Sequence, residues 1–224
     1  MSNFKPAPPP KTALSEYKLV LSCPPAQGAT KPGNLKFSVV KNNPRIDVYT
    51  NVPNDRNNGN IRAAMDTPTF YSLLELLQRV IDGPADQKYS IDNLNYTWFD
   101  NKRSETPKVV STTHVGRDKE GRVFIAVTAK ERPYLKFVFL PSNFHAVKNI
   151  DGSPMSEAEL STIYASSYVT MLRELTANVL DTNYVEPEPR DNKQGGGQKS
   201  NYNGGQNQAP ASGGGSSWED DFPM

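Results

Sequence analysis

The sequence predicts a mainly β domain carrying two helices, followed by a tail that does not fold. Three observations predict it. Between residues 17 and 140 short apolar runs recur with period-two alternation. Two longer stretches, near 67–82 and 156–181, repeat apolar residues at helical spacing instead. From residue 186 to 217 the composition narrows to Gly, Asn, Gln, Ser, Pro and Ala, too little apolar surface to offset the chain's entropy.

The elements follow in order. A Pro-rich arm covers residues 1–12, with Pro6, Pro8, Pro9 and Pro10. Tyr17 to Ser22 is a first strand candidate, closed by Cys23-Pro24-Pro25. From 35 to 40, Leu35, Phe37 and Val39 alternate with Lys36, Ser38 and Val40, and Lys41-Asn42-Asn43-Pro44 is turn chemistry. Ile46 and Val48 then continue the apolar face while Arg45, Asp47 and Tyr49 point away, so the two runs make a hairpin. The polar segment from Val52 to Asp66 reads as an exposed loop. Thr67 as cap, Pro68 at the first position and Gly83 past the end bound a helix. Its stripe is Phe70, Leu73, Leu74, Leu77, Val80 and Ile81. Strands are expected near 94–99, 108–115, 122–129 and 134–140. Ser156-Glu157-Ala158-Glu159 is a capping box opening a long helix that ends near Asp181. Leu160, Ile163, Tyr164, Tyr168, Met171, Leu172, Leu175 and Val179 form its expected apolar face.

Three strands, a helix and two more strands is the order of the OB-fold, a five-stranded Greek-key barrel that binds oligonucleotides on one face. The fold expected is therefore an OB-fold over residues 13–185, with extra strands, a helix between strands 3 and 4, and a C-terminal helix. A disordered linker over 186–217 and a tip over 218–224 would follow.

Composition narrows the function. Net charge is +1, but residues 1–185 carry 22 Lys/Arg against 18 Asp/Glu while residues 186–224 carry 3 against 6. A mildly basic body is thus joined to an acidic tail, an arrangement whose self-attraction weakens with salt. Cys23 is the only cysteine, which leaves no internal disulfide and no Cys-based zinc site. There is no apolar signal-like run in residues 1–11 and no membrane-length apolar stretch, so the chain reads as cytosolic. No phosphate-binding glycine loop or nucleophile elbow is present. His114 and His145 stand apart, and the spacing of Asp47, Asp92 and Asp100 does not favour a nuclease metal site. The chain is expected to be no enzyme and to need no cofactor or metal.

The tip, Trp218-Glu219-Asp220-Asp221-Phe222-Pro223-Met224, sets three carboxylates between two aromatics. On its flexible tether it resembles the C-terminus of single-stranded DNA-binding proteins of bacteria and their phages. The strand and helix layout, the absence of zinc ligands and the acidic tail near Phe222 together resemble the single-stranded DNA-binding proteins of T7-like phages. That resemblance implies sequence-independent binding and protection of single-stranded DNA in phage replication and recombination, in the cytoplasm of a bacterial host. It also implies that Trp218, Glu219, Asp220, Asp221 and Phe222 recruit DNA polymerase, helicase or primase and compete with DNA for the groove. A homodimer is possible under it. The tip departs in ending Phe222-Pro223-Met224 and in being less acidic than many relatives. An RNA-binding or RNA-chaperone barrel, or an adaptor whose tail does the work, are the other readings.

A groove for single strands needs cations for phosphate and aromatic faces for bases. Tyr49, Lys36 and Arg45 share the outward alternation of the hairpin, although a tyrosine there also serves as half-buried packing. Tyr96 and Trp98 share one face of a strand that leads into Lys102, Arg103 and Lys108; Trp98 equally suits a core. Tyr134 and Lys136 alternate with Leu135, Phe137 and Phe139, which read as interior. Arg56 and Arg62 lie in the polar loop. Arg117, Lys119 and Arg122 sit beside Asp118 and Glu120 and read as a solvated turn. Tyr164 and Tyr168 are assigned to packing or a subunit interface.

Overall fold

A computed structural model describes residues 12–186 except Asp86, Asp100 and Asn101, and without the side chains of Trp98 and Phe99. The Pro-rich arm and the acidic tail fall outside the described residues. Among the described residues there are ten strands: β1 (Leu21–Cys23), β2 (Gly33–Val40), β3 (Asn43–Tyr49), β4 (Asn60–Ala64), β5 (Lys88–Asn95), β6 (Trp98–Phe99), β7 (Lys102–Arg103), β8 (Lys108–Arg117), β9 (Val123–Thr128) and β10 (Lys136–Val138). Helices α1 (Thr67–Asp82) and α2 (Glu157–Thr182) complete it.

The strands form two antiparallel four-stranded sheets, ordered β1-β2-β3-β4 and β10-β9-β8-β5, and β6 pairs with β7. The sheets meet on both sides, β1 against β10 and β4 against β8 and β9, so the architecture is barrel-like. The β2–β3 hairpin turns on Lys41 and Asn42, both at positive φ (50° and 64°). Two left-handed residues match the twist of the flanking strands, and asparagine tolerates that region better than most residues. Leu35 pairs with Val48 and Phe37 with Ile46, all buried in the core.

Helix α1 buries the six apolar residues that its sequence stripe marks out. Each is worth about 1.5–3 kcal/mol on burial. Phe70 packs edge-on to Phe37 at 6.4 Å. The cap differs from expectation: Asp66, not Thr67, holds it, with the Thr69 N–H donating to its Oδ1 at 2.7 Å. A carboxylate there also faces the positive end of the helix dipole.

The structure corrects the sequence reading at four further places. Tyr17–Leu19 is a turn of 3-10 helix and the strand begins only at Leu21. The polar loop contains β4, whose Ile61 and Ala63 are buried on alternate positions, so α1 lies between the fourth and fifth strands rather than between the third and fourth. On α2, Ser156 and Glu159 form the expected capping box. Its most buried residues are Ser161, Ala165, Val169, Leu172, Thr176 and Val179. Of the expected face, Leu172 and Val179 are among them, Tyr164, Tyr168 and Leu175 pack against the core, and Ile163 is 45% exposed. Small residues let α2 approach β9 closely: the Ser161 hydroxyl accepts from the Val123 N–H (2.8 Å) and donates to the Val123 carbonyl (3.1 Å). Tyr168 packs at 5.4 Å on Phe139.

Nor is the turn between β8 and β9 merely solvated. Arg117 donates to the carbonyls of Val80, Ile81 and Gly121 and to the Thr162 hydroxyl. Asp118 accepts from Arg122 and from Lys136 Nζ (3.0 Å) with its side chain 5% exposed. Only Lys119 is free of such ties among the described residues.

Candidate nucleic-acid interface

Period two decides what the first sheet shows to solvent. Cross-strand rows on its outward face run Ser22, Asn34, Tyr49, Asn60; then Lys36, Asp47, Arg62; then Ser38, Arg45, Ala64. This puts Lys36, Arg45, Tyr49 and Arg62 on one surface. The Lys36 ammonium lies 5.6 Å from the centre of the Tyr49 ring. Such a cation over an aromatic face contributes about 0.5–1 kcal/mol where exposed.

One carboxylate stands in the middle of these cations. Asp47, 7% exposed, accepts from Arg62 Nε at 2.7 Å and, more weakly, from Ser38 and Asn60. Arg45 is half-buried and its Nε has no partner among the described residues. Burial and the neighbouring Arg62 both lower its pKa, and Asp47 offsets part of that.

The second part is the long hairpin of β5 and β8, with β6 and β7 at its far end. The Arg103 guanidinium lies 3.5 Å from the centre of the Tyr96 ring, and exposed Lys102 and Lys108 flank it. Thr97 and Ser104 close this end through mutual hydrogen bonds at 2.8 and 3.1 Å. Nearer the body, Leu94 (61% exposed) pairs with Val109 (52%). Here the register slips between Asn93 and Leu94, leaving Val110 as the extra residue. A bulge of this kind re-aims one side chain out of the pleat.

The two parts join. The Ser111 hydroxyl donates to the Arg62 carbonyl at 2.8 Å, and Arg62, Asn60 and Val110 line one pocket between them. Loop 51–59 forms its near rim. Asn51, Asn54, Asn57 and Asn58 all take positive φ. Asp55 holds the loop by accepting from Thr50 and from Arg132, both at 2.7 Å. Burial alone would raise the Asp55 pKa, but these donors outweigh it and lower it.

Not every expected residue joins this surface. Arg56 pairs with Glu131 at 2.8 Å. Lys136 is committed to Asp118 and lies 5.8 Å from the Phe124 ring on the outward face of the second sheet. Tyr134 lines a separate pocket with Lys88, Tyr89, Ser90, His114, Val115 and Phe124. The Trp98 side chain and all five tail residues fall outside the described residues. Sequence reasoning missed Asn57, Asn60, Val110 and Arg132, although the run of asparagines in an otherwise structureless segment was a signal for left-handed backbone.

Among the described residues no three His, Cys, Asp or Glu side chains are placed to hold a metal ion. Asp47 is tied to Arg62, and Asp92 accepts from Thr112. No helix of the described residues is long and apolar enough to cross a membrane. No protein-family model, no curated protein and no solved structure matches this chain.

Proposed function

We propose that the protein binds single-stranded DNA without base specificity and without catalysis. The observation that carries the reading is the continuity of stacking and charge: Lys36 over Tyr49 and Arg62 on the first sheet lead, through Asn60 and Val110, to the hairpin where Arg103 covers Tyr96. Phosphates would follow Lys36, Arg62, Lys102 and Lys108, releasing counterions, so affinity would fall steeply with salt. Bases would stack on Tyr49 and on the Tyr96–Arg103 pair at about 1–3 kcal/mol each. Duplex would bind poorly because its bases are already stacked.

In this reading the barrel-like body is an OB-fold with added strands. The acidic tip, Trp218 to Phe222, recruits replication proteins and competes with DNA at low salt. Phage replication or recombination in a bacterial cytoplasm is the setting that the sequence resemblance implies. The test is fluorescence anisotropy with a labelled oligo-dT of about 30 nucleotides, longer than the site of one OB-fold. It is run at low and high salt, with duplex and oligo-rU as competitors. Salt-sensitive binding that neither competitor displaces supports the proposal. Absence of binding by both the full chain and a chain lacking residues 218–224 refutes it, and displacement by oligo-rU moves the function to RNA.

A further inference from the structure

The pocket at the junction of β4 and the hairpin has a volume of about 360 Å³. Its lining divides by chemistry. Ile61, Val110 and Ala129 are apolar; Asn57, Asn60, Arg62 and Arg132 carry flat carboxamide or guanidinium groups. Small-molecule sites span roughly 300–1,000 Å³, so this one is at the size of a single ring system rather than of an extended ligand.

Charge narrows the guest further. Each cation arrives with its own anion: Arg62 with Asp47 and Arg132 with Asp55, both at 2.7 Å. The Arg132–Asp55 pair is almost fully enclosed, with side chains 5% and 9% exposed. Inside the pocket a free anion would find Arg132 already neutralised by an enclosed partner, whereas Arg62 stays half-exposed and open to phosphate. A flat, uncharged heterocycle with donors and acceptors on its edge matches the lining better. A carboxamide carries both a donor and an acceptor, so it can meet the edge of any base.

The walls are held in place beforehand. Asn57 and Asn58 sit in the left-handed region at φ near 52° and 53°, in a loop pinned by Asp55. Val110 is presented by the β5–β8 bulge. The Arg132 guanidinium also donates to the Asn60 carbonyl at 3.3 Å, and its Nε is buried without a partner among the described residues.

We propose that this pocket takes one unstacked nucleobase of the bound strand, between the base on Tyr49 and those on the hairpin. The inference rests on the single-strand reading and adds to it a site that only an unpaired base can enter. It gives the protein a means of rejecting duplex that is separate from stacking.

Two variants test it in the full-length protein. Val110→Phe, at an exposed strand position, fills the pocket, and Asn57→Gly removes a carboxamide while keeping the backbone region that glycine also adopts. Affinity is measured for oligo-dT and for an abasic strand of the same length. The expected result is about a tenfold loss on oligo-dT for Val110→Phe, a smaller loss for Asn57→Gly, and no change on the abasic strand. Photo-crosslinking with 4-thiothymidine oligonucleotide should then label residues 57–62 or Val110. Oligo-dT binding unchanged in both variants, equal losses on both strands, or crosslinks confined to Tyr49 and Tyr96 would overturn the inference while leaving the single-strand reading intact. No binding of oligo-dT by the wild-type protein overturns both.

Discussion

Replacing Asp118 by asparagine removes a charge from the centre of the turn between β8 and β9 while keeping its shape. The carboxylate accepts from Arg122 Nε (2.9 Å), Lys136 Nζ (3.0 Å) and the N–H groups of Glu120 and Arg122 (3.1 and 2.9 Å). Burial alone would raise its pKa; the Arg122 and Lys136 side chains and the Arg122 N–H instead lower it from 3.8 to about 2. A depressed carboxylate stabilises the folded state above its unfolded pKa and loses that stabilisation as pH falls through the folded value. At neutral pH the shift corresponds to about 2 kcal/mol, roughly half of it surviving at pH 3 and little at pH 2. Asp118→Asn should therefore lower Tm by about 4–8 °C at pH 7, given 2–4 °C per kcal/mol for a chain of this size. Urea denaturation of both proteins at pH 7, 4 and 3 measures the gap. A gap below about 0.5 kcal/mol at pH 7, or one that stays constant down to pH 3, would refute the reasoning.

Tyr49→Ala should weaken oligo-dT binding about tenfold with Tm little changed, since one stacked base contributes about 1–3 kcal/mol. Asp47→Asn should tighten it about two- to fivefold at low salt, because Arg62 is released toward phosphate, and the gain should vanish at high salt. Anisotropy titrations at two salt concentrations read both. Gly33→Ala should cost about 1–3 kcal/mol in urea denaturation. Its Cβ would lie 2.8 Å from both Cys23 Sγ and Leu135 Cδ1. The double variant with Leu135→Ala should cost less than the sum of the two single losses, since Leu135→Ala removes one of the clashing atoms.

What the sequence showed best was local. The α1 stripe and the β2–β3 hairpin depend on spacing within one element, and the outward face holding Lys36 and Tyr49 follows from period two alone. Strand β4 escaped because alanine at 63 and 64 carries little apolar signal beside Pro53, Asn54 and Asn57. On α2 the expected face is largely the packed one, with Leu172 and Val179 in the core and Tyr164, Tyr168 and Leu175 against it. Ile163 alone faces out, and the other most buried positions lie on the small residues beside that stripe. Close packing on β9 selects Ser161 and Ala165 there. Among the candidate cations, Arg56, Arg62 and Lys136 are paired with Glu131, Asp47 and Asp118. These partners lie on other strands or loops, so neither the pairing nor the pocket that Arg62 shares with Val110 could be read along the chain.

Arg117 gathers chain segments far apart in sequence. Its guanidinium holds the last carbonyls of α1, the carbonyl of Gly121 and the hydroxyl of Thr162 on α2. If any of these moves away, a half-buried cation loses one of its acceptors. Helix α2 is therefore no detachable appendage: the end of α1, the β8–β9 turn and the start of α2 form one cooperative unit. Amide hydrogens of Val80, Gly121 and Thr162 should exchange with a common opening free energy, and a chain cut before Ser156 should lose α1 as well.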